Sequence, residues 1–118
     1  MAEPLTLYKL IVLYMLKKVD FPLTNAQISE FILDQEYTSY FTLQQAISEM
    51  VEAGFIREES THNRTMYHLT EEGTSTIQYF SSNISPAIRQ EIDMFLKEKA
   101  YELKSEVGVR ADFYPTKN

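Results

Sequence analysis

The chain contains no cysteine. That excludes disulfides, Cys-liganded zinc fingers and thiol chemistry, and it accords with a reducing compartment. Glycine and proline are scarce as well, at three and four residues, which leaves little material for linkers or low-complexity segments. No internal repeat is visible. The longest apolar run, Leu10 to Leu16, includes Tyr14 and is followed by Lys17 and Lys18, far short of the ~20 residues a membrane span needs. Glu3 stands where a secretory leader has its basic start, and no small-residue cleavage site follows. The expected location is the cytoplasm, with no membrane contact. Histidine occurs only as His62 and His68, neither at i, i+4 with an acid on a helix, so a transition-metal site would have to draw on scattered carboxylates. There is no glycine-rich phosphate loop and no nucleophile elbow. The adjacent pairs Glu58-Glu59 and Glu71-Glu72 read as solvated charge. Neither an enzyme nor a bound cofactor is expected.

Basic charge is the other deficit. Residues 1–80 hold five Lys/Arg against eleven Asp/Glu, and the remainder holds six of each, so the net charge of −6 sits entirely on the first part. This matters because a DNA-binding protein gains most of its non-specific affinity from cations that neutralise phosphates and release counterions.

What is present is globular: 118 residues, 44% hydrophobic and 13% aromatic. A chain of this length makes one domain that buries roughly two thirds of its unfolded surface. Leu5, Tyr8, Leu10, Ile11, Leu13, Tyr14 and Leu16 cover more than one side of a helix, so the first helix should be central and largely buried, ending near Val19. Pro22 breaks the chain before Leu23-Thr24-Asn25-Ala26-Gln27-Ile28, which holds a complete start signal for a second helix. Thr24 can cap, Gln27 can reach back to the Thr24 amide, and Leu23 can staple onto Ile28. That helix should run to about Asp34 with Ile28, Phe31 and Ile32 inward. A third helix follows, with Leu43, Ala46, Ile47, Met50 and Val51 at i, i+3, i+4, i+7 and i+8. Thr38, Ser39 and Thr42 compete as its N-cap, and Gly54 closes it in a left-handed conformation.

Phe55 to Ser60 and Thr65 to Leu69 read as two strands of a hairpin joined by Thr61-His62-Asn63-Arg64, with Tyr67 and Leu69 inward. Thr70 with Glu71 and Glu72 opens a fourth helix reaching about Ser82. Ser85 and Pro86 open a fifth, to about Ser105 and roughly 28 Å long. Its stripe of Ile88, Ile92, Phe95, Leu96 and Leu103 calls for a partner, and a second copy of the chain is expected to supply it. Val107 to Tyr114 alternates as a strand does.

Three helices and then a hairpin make the order of a winged helix. The expected fold is α+β: a winged helix-turn-helix over residues 1–82, with a three-helix core and a two-stranded wing. A dimerisation helix over 83–105 and a terminal strand region over 106–118 follow. Leu43 to Ile56 resembles the recognition helix and Gly-apolar-Ile exit of bacterial winged-helix regulators, and Tyr67 to Gly73 resembles their Tyr-x-Leu-Thr-x-x-Gly step into the next helix. More closely, Leu10 through Leu23-Thr24-Asn25, Tyr40-Phe41-Thr42-Leu43-Gln44-Gln45 and on to Phe113-Tyr114 looks like a family of clostridial winged-helix proteins of unknown function, regarded as candidate transcriptional regulators. The likeness covers almost the whole chain. Members of that family continue beyond the strand at Val107 to Tyr114, so the resemblance implies a C-terminal truncation.

In such a fold the N-terminal, outward side chains of the third helix meet base edges in a major groove. These are Tyr40, Gln44, Gln45 and Ser48. Gln can pair two-pronged with adenine and Ser can bond any base, although both are also ordinary solvent-facing residues, and Glu49 and Glu52 on the same helix repel phosphates. At the wing tip His62, Asn63 and Arg64 can touch phosphate or a minor groove; they equally serve as plain turn chemistry. Lys17 and Lys18 complement the dipole of the first helix. Tyr37, Tyr40, Phe41, Tyr79 and Phe80 read as core packing more simply than as the lining of an effector pocket. The expected function is binding of double-stranded DNA in transcriptional regulation, by a homodimer. The alternative is a winged helix that binds protein. A positive patch around Gln44, Gln45 and Arg64 would mark the first, and acid there the second.

Overall fold

The computed structural model describes residues 4–106. Helix α1 (Pro4–Lys18) is the centre of the molecule: Leu10, Ile11, Val12, Leu13, Met15 and Leu16 are all buried, which uses every side of the helix. It is packed by three later helices and the sheet. The two-residue strand β1 (Leu23–Thr24) then runs directly into α2 (Asn25–Asp34). Thr24 Oγ1 accepts from the Gln27 amide at 3.0 Å and Gln27 Oε1 accepts from the Thr24 amide at 2.9 Å, so the expected capping box forms in full. Gln27 Nε2 also donates to the Leu103 carbonyl at 3.1 Å, tying this cap to a residue 76 positions further along.

Helix α3 (Tyr40–Ala53) starts at Ser39, whose Oγ accepts from the Thr42 amide at 3.3 Å. Of the three competing caps, Ser39 is the one used. Leu43, Ala46, Ile47 and Met50 are buried against α1, and Gly54 ends the helix at φ 85°. Strands β2 (Ile56–Ser60) and β3 (Thr65–Leu69) pair antiparallel from Ile56↔Leu69 to Ser60↔Thr65. Strand β1 adds to the other edge of β3, Leu23 opposite Tyr67 and Thr24 opposite Met66, giving the order β1-β3-β2. This third strand was not foreseen, because two residues carry no periodicity and Thr24 reads only as a cap.

Helix α4 (Glu71–Phe80) begins at Thr70, whose Oγ1 accepts from the Gly73 amide at 3.0 Å. The same hydroxyl lies 2.7 Å from the Gly54 carbonyl and 2.9 Å from that of Phe55, so it stitches the exit of α3 to the start of α4. A Cβ at Gly73 would stand 2.1 Å from the Phe55 carbonyl oxygen, which explains the glycine in the Thr-x-x-Gly step. A 3-10 turn (Ser81–Asn83) leads to α5 (Pro86–Glu106), capped by Ser85 Oγ on the Ile88 amide at 3.2 Å.

The apolar stripe of α5 does not await a second copy. Ile92, Leu96 and Leu103 are buried in this chain's own core, with Ile88 and Phe95 packed half-buried against it. The stripe lies on α1 and α2: the rings of Phe95 and Phe31 are 5.0 Å apart, and Tyr14 donates to Asp93 at 3.1 Å. The expectation that Ile92, Leu96 and Leu103 meet a second copy is therefore corrected, since these three side chains are already removed from water within one chain, while Ile88 and Phe95 keep part of their surface exposed. For the same reason no seam separates α5 from the preceding elements; one hydrophobic cluster runs from Leu10 to Leu103.

Of the five aromatics expected in the core, one packs there and four do not. Tyr37 packs against the core, edge-on to Phe31 at 5.8 Å, and its hydroxyl donates to Glu91. Tyr40, Phe41, Tyr79 and Phe80 are exposed instead. The strand expected at Val107 to Tyr114 lies outside the described residues. The described fold is thus α+β, with five helices and a small three-stranded antiparallel sheet, an arrangement compatible with a winged-helix-like fold. No helix among the described residues is long and apolar enough to cross a membrane.

Candidate nucleic-acid interface

Helix periodicity divides α3 into two faces. With Leu43, Ala46, Ile47 and Met50 turned to the core, Phe41, Gln45 and Ser48 fall at i, i+4 and i+7 on the opposite face and are exposed. Tyr40 is half in solvent in the first turn. Gln44 sits at the boundary and behaves differently from expectation: its side chain is locked to Asn25 at the start of α2. Asn25 Nδ2 donates to Gln44 Oε1 at 2.8 Å, and Gln44 Nε2 returns a bond to Asn25 Oδ1 at 3.0 Å. A reciprocal amide pair of this kind uses the bonding edge that a base would need. Gln44 is therefore a brace between α2 and α3 rather than a free outward group.

Asn25 donates in addition to the Tyr67 hydroxyl on β3, at 3.0 Å. Burial is the main reason that the Tyr67 phenol titrates above its ordinary value; the bond from Asn25 opposes the shift, while Glu58 and Tyr40 add to it. Asn25, Gln44 and Tyr67 thus join α2, α3 and the hairpin into one polar cluster.

The hairpin tip is built by Thr61. Its amide donates to the Arg64 carbonyl at 2.8 Å, and its Oγ1 accepts from the amides of Asn63 and Arg64 at 3.3 and 3.2 Å. This internal bonding leaves the side chains of His62, Asn63 and Arg64 outside, all exposed. Between the tip and the first turn of α3 lies an open groove of about 760 Å³, walled by Tyr40, Gln44, Asn63 and Arg64 and floored by Asn25 and Tyr67. Four of the seven residues expected to meet nucleic acid therefore share one groove. Gln45 and Ser48 continue along the exposed face of α3, and His62 stands outside the groove lining.

Within this geometry the family can be placed. A family model described as Domain of unknown function (DUF4364) matches residues 8–118. The chain belongs to that family. No curated protein and no solved structure matches the chain. The DUF4364 match spans every element from within α1 through α5, so the groove and all its walls lie inside the family's domain.

The charges at this DUF4364 groove are balanced rather than positive. Arg64 is opposed by Glu58, which lines the same groove. Gln45 Nε2 donates to Glu49 Oε2 at 3.1 Å, and Glu49 is in turn paired with Lys9 of α1 at 2.6 Å. The bonds from Lys9 and Gln45 hold the Glu49 carboxyl below its usual range, so it is ionised but partnered. On the hairpin's other face, Glu59 is 2.6 Å from His68. Around Gln44, Gln45 and Arg64 these groups make neither the positive patch that would mark DNA binding nor a purely acidic one. Sequence reasoning also passed over Asn25, Tyr67 and Glu58 as members of the site. The alternation of β2 and β3 puts Glu58 and Tyr67 on one face, but nothing in the pattern points that face at α2. Among the described residues no three His, Asp or Glu side chains gather as a metal-ion cluster.

Proposed function

We propose that this chain is a winged-helix protein that binds double-stranded DNA in transcriptional regulation, with α3 entering the major groove and the β2–β3 hairpin contacting the backbone beside it. The observation that carries this reading is the shared groove between the first turn of α3 and the hairpin tip. The chain order α1-β1-α2-α3-β2-β3 supports it, because it is the order in which a winged helix carries its helix-turn-helix and wing. The bracing of Gln44 by Asn25 and of the tip by Thr61 supports it too, since both fix the relative position of helix and hairpin. Tyr40, Gln45 and Ser48 are the helix residues available to bases, and Arg64 is the cation available to a phosphate. A cytoplasmic location goes with this reading.

The balance of Arg64 by Glu58 favours a second reading, in which the same groove takes a protein segment. Gel retardation of a random duplex at low salt separates the two. DNA binding predicts retention that falls steeply as salt rises. Arg64→Ala should weaken it about equally for all sequences and lower the salt slope by about 1, the signature of one lost phosphate contact. Absence of retention even at the lowest salt would leave the protein-binding reading.

A further inference from the structure

Phe41 is the most exposed large apolar side chain among the described residues, at 85%. It stands in the first turn of α3, on the face opposite the buried Leu43 and Ile47, so core packing gives it no role. Tyr40 braces it, the two rings lying edge to face with centroids 6.5 Å apart. One helical turn further along the same face is Gln45. The two residues thus present a held apolar ring and an amide about 6 Å apart along the helix axis. Gln44, the neighbouring amide, is withdrawn by its pairing with Asn25, so along the face opposite the core Phe41 supplies the most exposed ring and Gln45 the amide.

In a major groove these two groups have complementary targets. An apolar side chain finds the 5-methyl group of thymine, and a Gln amide bonds the N6 and N7 edge of adenine. Stacked bases on a strand are about 3.4 Å apart, so groups one helical turn apart reach different base pairs in the same short run. We infer that Phe41 and Gln45 give the protein a preference for A·T pairs at the centre of its contact, Phe41 against a thymine methyl and Gln45 against adenine. The inference rests on the DNA-binding reading of α3. Turning to adenine, Gln45 must release Glu49; that carboxylate keeps its ion pair with Lys9 at 2.6 Å and is not left unpartnered.

The test uses the full chain and a pool of duplexes with a randomised centre, selected for retention at low salt. The recovered duplex is then synthesised with each central thymine replaced in turn by uracil, which removes only the methyl group. Wild-type protein should bind one or two of the uracil duplexes roughly three- to five-fold more weakly, the value of one buried methyl. Phe41→Ala should bind the thymine and uracil duplexes equally, with an unchanged circular dichroism spectrum because the side chain is exposed. Gln45→Ala should keep the uracil effect and relax the adenine preference in a repeated selection. Retention of duplex with no response to uracil would overturn the assignment while leaving DNA binding intact. Failure to retain any duplex of the pool would overturn both.

Discussion

At the scale of single residues, the sharpest constraint is Gly73. Its φ is not the reason for glycine; the Phe55 carbonyl oxygen occupies the place of a side chain, 2.1 Å from where a Cβ would stand, with Leu69 Cδ1 at 2.8 Å. Backbone cannot move aside as a flexible side chain can, so Gly73→Ala should cost about 2–3 kcal/mol, as overpacking does. Gly54 is the opposite case, with nothing within 4 Å of an added Cβ but a φ of +85°; Gly54→Ala should cost only ~1 kcal/mol. Urea titration of both variants checks the ranking, and a neutral Gly73→Ala would contradict the close approach. Tyr67 provides a pH test. Its phenol holds its proton more tightly folded than unfolded, so it contributes stability that is complete below its unfolded pKa, about 10, and is lost as pH rises through the folded value. Tyr67→Phe should therefore flatten the fall in urea midpoint between about pH 9 and 11. Tyr14, raised by its own burial and by Asp93, keeps some of that slope in the variant. Equal slopes in wild type and variant would remove Tyr67 as the cause.

At the scale of elements, α5 decides how the molecule closes. Its stripe was legible in the sequence as an apolar face needing a partner, yet periodicity reports only that a face is apolar and never which surface covers it. The cover is α1 and α2. Ile92→Glu should accordingly place a carboxylate in a site with no access to water and cost about 4 kcal/mol or more, comparable with the whole stability of a small domain. Circular dichroism should show lost helix and an earlier melt, whereas Met94→Glu, on the exposed side of the same helix, should be tolerated. A folded Ile92→Glu protein of halved mass in sedimentation would instead restore the interface between copies. The other elements repeat this division between local and distant information. The Thr24 capping box, the Gly54 stop and the Thr70 start all depend on residues within four positions of each other, and each stands where the sequence pattern puts it. Strand β1 depends on Tyr67 and Met66, more than forty residues away, and the withdrawal of Gln44 depends on Asn25; neither partnership leaves a local trace. The hairpin and α3 were thus readable as separate pieces of a site, while the polar cluster that joins them was not.

At the scale of the whole molecule, the question is how a chain of net charge −6 approaches a polyanion. Long-range repulsion and short-range contact respond differently to salt, since screening acts beyond a Debye length of about 10 Å at 0.1 M and about 3 Å at 1 M. Glu58 is the anion that tests this, because it lines the groove with Arg64 while its strand neighbour Glu59 already has His68. If the groove holds DNA, Glu58 opposes Arg64 at the phosphate and lowers the affinity the arrangement can reach. Glu58→Gln should then bind random duplex several-fold more tightly at about 0.05 M salt, the gain shrinking toward nothing as salt nears about 1 M. The fold should be unaffected, since Glu58 is exposed and keeps its place opposite Tyr67 through backbone pairing. A groove built for a basic protein segment predicts a different pair of outcomes: the carboxylate is then part of the recognition, and its removal leaves duplex retention unchanged while weakening capture of a cationic peptide. Whether Glu58→Gln tightens duplex binding at low salt therefore separates a DNA-binding groove with one adverse charge from an acidic groove to which DNA is irrelevant.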